Sequence, residues 1–527
     1  MPRKVLRVAL PITAAAAAIL AVVSTRSDGE RAGTSATPTA PPLVDPSGRP
    51  DRVPRRPNVV LIIMDEFPGD SLLGRDRRID AVRYPNLAAL SRNAYWFPNA
   101  FASYDSTPKA TPLILDGKRP IKGNPADQRG HPRTIFDMFG GRGYRIVDSE
   151  EATAICPRRY CSHARTRRPG ILRNLNRNRP GRLERFFNQV KPGRPGFYVK
   201  HVLLPHGPYL YLPSGAATRR GPQDLVPGMT SPRGFHDRFL TYHNYQRYLL
   251  QLGFVDRELG KLFGRLIRLR MFDQTMIVLT ADHGFSWEIG VRDRRKVNEH
   301  NVDEIATVPL FIKAPGQRRG RIVRSYARTM DVTPTIADIL NFRLPYGPDG
   351  RSAFSRAVRK RRSVFLPTRA FDRVIRISAR RYEARRRQNV ARRLQLFGAD
   401  PRGFYTGIGP RPELVGRPVA TLPRGSAGAL RGRIVTAGAL RTVRRASGLV
   451  TAQIAGNLRG GRRGATHDVA VAVNGRIQAV GRTWYLRRDR TEHFAAMVPE
   501  SSLREGDNDV QVFQVDRRGA LSLIARN

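Results

Sequence analysis

Residues Asn58 to Glu66 read NVVLIIMDE, and residues Thr275 to Gly284 read TMIVLTADHG. Each is an unbroken apolar run of strand length that stops at a carboxylate, Asp65-Glu66 in the first and Asp282 in the second. Aliphatic runs without polar alternation read as strands buried on both faces, the pattern of a parallel sheet. In such a sheet, ligands collect in the crevice beyond the carboxyl ends of the strands. Two strand ends meeting there bring Asp65, Glu66, Asp282 and His283 around one point, and oxygen and imidazole donors of this kind hold a divalent cation. The two strings together predict a metal-dependent hydrolase or transferase.

The chain around them alternates between strand and helix signals. Pro85 opens a helix over Asn86 to Asn93, a second covers Arg133 to Phe139, and strands are expected at Tyr144 to Val147 and Gly196 to Leu204. Tyr248 to Leu269 carries Leu252, Val255, Leu259, Phe263 and Leu266 at helical spacing, a stripe that faces a core. Val308 to Lys313 adds a strand, and Asp331 to Leu340 a short helix. Alternation of this kind predicts an α/β fold, a doubly wound, mostly parallel sheet with helices on both faces. Beyond Ser355 the texture changes. Arg359 to Arg393 is dense in arginine and is expected to lie exposed. From Gly438 short β-patterned runs take over, with Asn474-Gly475 as a two-residue hairpin turn, and predict a small C-terminal antiparallel β-sandwich domain. The expected layout is a leader at 1–24, a disordered Ser-, Thr-, Gly- and Pro-rich linker at 25–56, a catalytic domain at 57–355, an Arg-rich connecting region at 356–437 and the sandwich at 438–527.

The first residues read as a compartment signal. Arg3, Lys4 and Arg7 precede a mostly apolar run from Val8 to Val23, so the N-terminus faces the cytoplasm and the remainder is exported. A cleaved signal peptide and a retained single anchor both fit this run. The expected location is extracytoplasmic, secreted or membrane-associated. Two cysteines, Cys156 and Cys161, are the only ones among 527 residues; in an exported chain they read as a disulfide closing a small loop, with two unpaired thiols as the alternative. The formal charge is +50, from 93 Lys and Arg against 43 Asp and Glu. It is either an electrostatic footprint for an anionic envelope polymer or lipid head group, or arginine filling solvated positions. No zinc-finger spacing or aromatic-and-basic recognition motif accompanies it, so no nucleic acid partner is expected.

The ordered motifs resemble the alkaline phosphatase and sulfatase superfamily, in particular its sulfatase-like branch, with some likeness to phosphoglycerol transferases. They are Pro57-Asn58 leading to Asp65-Glu66, Tyr84-Pro85-Asn86-Leu87, Ser106-Thr107-Pro108 with Leu115-Asp116-Gly117, His206-Gly207-Pro208, Asp282-His283-Gly284, Val308-Pro309-Leu310 with Ala314-Pro315-Gly316, and Asp331-Val332-Thr333-Pro334-Thr335. The resemblance covers roughly Pro57 to Ser352. It implies a nucleophile at a helix N-terminus beside the metal and a covalent phosphoryl or sulfuryl intermediate. Measured back from Leu115-Asp116-Gly117 the nucleophile is Thr107; measured from Pro108 in the sulfatase Cys/Ser-x-Pro-x-Arg signature it is Ser106, with Ala110 where that signature has Arg. Sulfatases of this family use a formylglycine made from Cys or Ser. Threonine cannot yield one, so Thr107 implies direct attack and phosphoester chemistry, while Ser106 keeps a sulfatase as the alternative. A plain helix N-cap is the structural reading of either hydroxyl.

The same resemblance implies that His206 contacts substrate or donates a proton, that Lys109 supports the anion, and that the cation is held by Asp65, Glu66, Thr107, Asp282 and His283, with His283 holding the substrate as the alternative. One ion is expected, Mn²⁺, Mg²⁺ or Ca²⁺, since Zn²⁺ wants more imidazole. His201 reads as buried structure in the strand before His206. His300 falls where the family brings a basic side chain toward the anion. The substrate implied is an anionic ester. A catalytically degenerate envelope-binding protein, gripping polysaccharide with its β-domain, is a further alternative.

Overall fold

The computed structural model describes residues 55–161, 170–219, 237–291, 293–426, 428–485 and 491–527. The apolar N-terminal segment, and the linker as far as residue 54, lie outside them. Among the described residues no helix is long and apolar enough to cross a membrane.

Seven strands form the central sheet: β1 (Val59–Asp65), β2 (Tyr95–Trp96), β3 (Arg145–Ser149), β4 (Gly196–Pro205), β5 (Met276–Ala281), β6 (Leu310–Lys313) and β7 (Arg321–Ile322). Their order is β3-β4-β1-β5-β6-β2-β7. The block β3-β4-β1-β5 is parallel throughout, and β6 joins it antiparallel to β5. The sheet is therefore mixed but mostly parallel, with its long apolar strands at the centre. Every residue of β1, β4 and β5 is buried, as unalternating runs require when both faces are covered.

The helices near the expected positions are Pro85–Ser91, Ile135–Gly140 and Val332–Ile339. The long helix begins earlier than its apolar stripe predicts and spans Arg238–Arg268. Asp237 caps it by accepting from the Leu240 N–H at 2.7 Å. Its first turn faces a different neighbour, the C-terminal domain, where Phe239 lies 6.3 Å from Trp484 between ring centroids; a single-face periodicity cannot show a second packing partner.

The Arg-rich region is folded rather than a mere connector: most of its arginines between 359 and 393 are exposed, as expected, but two are buried. A hairpin, β8 (Ser363–Pro367) and β9 (Val374–Ser378), leads into a helix over Ala379–Phe397 that packs beside the segments around Asp70 and Leu73. Arg386 and Arg393 are each 1% exposed. Arg386 donates to both carboxylate oxygens of Asp70 and, at 2.9 Å, to Asn99 Oδ1, and Arg393 donates to the Leu73 carbonyl. Arginine patterns read as solvated because a guanidinium seldom leaves water. Here a carboxylate and several carbonyls replace that water.

The last domain is a sandwich of two four-stranded sheets. One is ordered β10 (Arg431–Ile434), β11 (Gln453–Arg459), β15 (Glu492–Met497), β14 (Trp484–Tyr485). The other is ordered β13 (Arg476–Arg482), β12 (Asp468–Val473), β16 (Val510–Val515), β17 (Leu521–Arg526). It starts at β10, a few residues before Gly438. Asn474 and Gly475 both take positive φ, 50° and 80°, as a two-residue hairpin turn demands. Cys156 and Cys161 are joined as a disulfide, with Cα atoms 6.2 Å apart.

Candidate active site

The parallel block sets the site. In the ladder Ile63 of β1 lies beside His201 of β4 on one side and Thr280 of β5 on the other. Side chains two residues apart share a face, so Asp65, two beyond Ile63, and Asp282, two beyond Thr280, emerge on one face at the carboxyl edge. Both are buried, at 1% and 0% exposure.

Asp282 is anchored by its own loop: Oδ1 accepts the N–H of His283 at 2.6 Å and that of Glu66 at 3.2 Å. Glu66 takes φ 57°, a left-handed conformation that costs a non-glycine residue on the order of 1 kcal/mol. That conformation turns its N–H to Asp282 and sends its carboxylate the other way, to Arg295 Nε at 2.6 Å and His206 Nε2 at 3.4 Å.

A helix over Thr107–Asp116 points its N-terminus at this edge. Ser106 is its N-cap residue but makes no side-chain cap bond. Thr107, the first helical residue, donates from Oγ1 to Asp65 Oδ1 at 3.2 Å and lies 3.4 Å from His283 Nε2. His283 Nδ1 is 2.8 Å from the Gly284 carbonyl. A carbonyl only accepts, so Nδ1 carries the proton and Nε2 turns a lone pair toward Thr107.

His206 repeats this arrangement, with Nδ1 2.6 Å from the Gly207 carbonyl. Its loop is fixed from below. Arg179 donates to the carbonyls of Leu203 and His206 at 3.0 and 2.5 Å and to that of Pro208, and Gln251 Nε2 donates to the carbonyls of Pro205 and His206 at 2.8 and 3.0 Å.

Lys109 is held elsewhere, its ammonium donating to the carbonyls of Ile121 and Asn124 at 2.9 and 2.5 Å. His300 lies on an exposed turn. The cation beside the carboxylates is Arg295, which sequence reasoning missed. Its loop is pinned where the Val297 N–H donates to Asp105 Oδ2 at 3.0 Å, and Arg369 bridges Asp105 and Asp293 at 3.2 and 3.3 Å. In a chain this rich in arginine no local signal separates Arg295 from its neighbours.

Electrostatics follow from the crowding. Burial first, then the nearby charges of Asp282 and Glu66, push the Asp65 carboxyl well above its ordinary range. Burial acts on Glu66 in the same direction, but Arg295, His206, His283 and Arg294 overcome it and hold that carboxyl at about 2. Burial lowers His206 to about 4 against the pull of Glu66. Three carboxylates thus share a dry pocket, and Asp282 Oδ2 accepts no hydrogen bond. Ligand atoms of Asp65, Glu66 and His206 lie within 4.8 Å of one another, as do those of Asp65, His201 and Asp282. This donor set fits a divalent cation.

The chain matches the model of the family described as Sulfatase over residues 57–342, more than half its length. It is 25% identical over 337 residues to the ulvan-active sulfatase of Formosa agariphila, covering 56% of this chain and 64% of that protein. It is 34% identical over 100 residues to the multifunctional alkaline phosphatase superfamily protein PehA of Trinickia caryophylli, covering 19% of each. The match thus spans less than two thirds of either relative. Among solved structures it is similar to the phosphonate monoester hydrolase SpPMH from Silicibacter pomeroyi, at 19% identity and a TM-score of 0.43 over 59% of this chain and 79% of that one. By the extent of the family match, the chain belongs to the sulfatase family.

Proposed function

We propose that this chain is an exported, metal-dependent enzyme that hydrolyses or transfers anionic esters, phosphate in preference to sulfate, with Thr107 as its nucleophile. The observation that carries the reading is the position of Thr107 Oγ1 at a helix N-terminus, 3.2 Å from Asp65 and 3.4 Å from a lone pair of His283. Bound by Asp65, Asp282, His283 and Glu66, a divalent cation would supply Lewis acidity, favouring the alkoxide of Thr107 and neutralising charge on the ester.

The chain's own groups do the rest. Thr107 Oγ1 bonds to phosphorus, its proton passing to Asp65 Oδ1, while the bond from phosphorus to the leaving oxygen breaks. His206 must first take up a proton on Nε2, against the burial that lowers it to about 4, and then gives that proton to the leaving oxygen. Water or an alcohol then attacks the phosphothreonine, returns a proton to His206, and Thr107 recovers its own from Asp65. Arg295, beside Glu66 at the edge of the pocket, holds the non-bridging oxygens as a charge-assisted donor. The Arg3, Lys4 and Arg7 leader and the Cys156–Cys161 disulfide support an extracytoplasmic setting. The high positive charge supports a polyanionic envelope polymer or lipid head group as the ester's carrier.

A sulfatase reading keeps one observation in its favour: Ser106 stands next to Thr107 at the helix N-cap, with no cap bond occupying its hydroxyl. Assay of the purified protein on aryl phosphodiester and aryl sulfate, with and without chelator, separates the two when joined to mass spectrometry of the Ser106 peptide. Chelator-sensitive phosphodiesterase activity with an unmodified serine supports the proposal. An aldehyde at Ser106 with sulfate release would replace it by the sulfatase reading.

A further inference from the structure

Among the described residues of the central sheet, His201 is an imidazole with nothing to do in the protein alone. It sits in the middle of β4, 0% exposed, and neither ring nitrogen has a hydrogen-bond partner. An imidazole must carry at least one N–H, and leaving both nitrogens dry and unpaired costs roughly 1–3 kcal/mol. Apolar side chains fill every neighbouring position of that strand except Lys200, whose ammonium is spent on Glu151 and Ser149. The ladder places His201 beside Ile63 and hence on the same face as Asp65 and Asp282. Its ligand atom and theirs lie within 4.8 Å of one another, and Asp282 turns an unpaired Oδ2 into the same space.

We infer that His201 is a metal ligand, closing a seat with Asp65 and Asp282 on the sheet side of the pocket, so that with His283 the cation receives two imidazoles. This deepens the proposed function and rests on its claim that a cation binds between Asp65 and Asp282. Two imidazoles beside the carboxylates of Asp65, Asp282 and Glu66 shift preference away from Ca²⁺ and Mg²⁺, which favour all-oxygen shells, toward Zn²⁺ or Mn²⁺. The ligand comes from a strand interior, where the rotamer is fixed by packing, so little ordering is needed when the ion binds.

The test is a set of binding titrations of metal-stripped full-length protein with Zn²⁺, Mn²⁺, Mg²⁺ and Ca²⁺, joined to X-ray absorption of the zinc-loaded form. The inference expects the first two ions to bind at least tenfold tighter than the last two and the zinc spectrum to show two imidazoles. In His201→Gln, Zn²⁺ and Mn²⁺ affinity falls at least tenfold, Mg²⁺ and Ca²⁺ affinity changes less than threefold, and the spectrum shows one imidazole. His283→Gln tests the count without altering His201: one imidazole is expected there as well, and this measurement stands even where the His201 variant fails to fold. Binding of a cation by the parent protein with selectivity and imidazole count unchanged in His201→Gln, or no imidazole left in His283→Gln, would overturn this inference alone. Failure of all four ions to bind the parent protein would overturn the cation in the proposed function as well.

Discussion

Gly284 tests how closely the metal-side loop is held. A Cβ built on this residue would lie 2.2 Å from the Glu304 carbonyl oxygen, 2.9 Å from that of Ile305 and 3.0 Å from that of Thr307, whereas ordinary contact begins at 3.4 Å. All three are backbone atoms, and Gly284 is itself tied there by its N–H to Ile305 at 2.7 Å. The clash cannot be relieved by a side chain swinging away. In Gly284→Ala the Asp282–Gly284 turn must retreat by about 1 Å, enough to cost about 100-fold in rate when it displaces reacting groups. His283 Nε2 would leave its 3.4 Å approach to Thr107. Overpacking of this kind destabilises by about 1–3 kcal/mol. The assay is kcat/KM on an aryl phosphodiester beside a thermal melt, with Gly438→Ala, where nothing lies within 4 Å, as the control. A folded Gly284→Ala variant retaining activity within threefold would refute the claim that this turn positions catalytic groups.

Three other outcomes are expected. Arg386→Ala leaves Asp70 buried without its guanidinium partner and should cost about 3–5 kcal/mol in denaturant unfolding, far more than loss of a surface pair. Arg295→Met, which keeps side-chain length but removes the charge beside the buried Glu66, should lower kcat/KM about 100-fold on anionic esters and, by leaving that carboxylate without its guanidinium, lower the melting temperature as well. Glu304 and Lys313 should each impose a slope on the pH dependence of stability. Burial raises Glu304 to about 7, so its contribution is complete below the unfolded value of about 4.3 and is lost as pH rises to 7, on the order of 3 kcal/mol. Burial lowers Lys313 to about 7, so stability returns between pH 7 and the unfolded value of about 10.4. Glu304→Gln should remove the first of these slopes, read as the difference between variant and parent in pH-resolved unfolding.

The central strands and their terminal carboxylates were legible because an unalternating apolar run is itself the signature of two-sided burial, and β1 and β5 do carry Asp65 and Asp282 to one edge. The hairpin at Asn474-Gly475 was legible because its turn demands positive φ at both positions. The approach of Thr107, rather than Ser106, to Asp65 was not, since both registers are consistent with the same helix start and the contact depends on the helix phase. Arg295, Arg386 and Arg393 were hidden for a common reason. Among so many arginines one that pairs with a buried group has no distinguishing neighbours in sequence, and the partners, Glu66, Asp70 and the Leu73 carbonyl, lie more than 200 residues away along the chain. His201 read as buried structure, and it is buried; that it stands beside Asp65 and Asp282 depends on the pairing of β4 with β1, which periodicity does not encode.

The most direct test of the account is to quench the metal-loaded enzyme during turnover of a phosphodiester and sequence its active-site peptide by fragmentation mass spectrometry. The account predicts a phosphoryl group on Thr107, absent from Thr107→Ala, with Ser106 unmodified. Turnover without any modification of Thr107, or with the modification on Ser106, would contradict it.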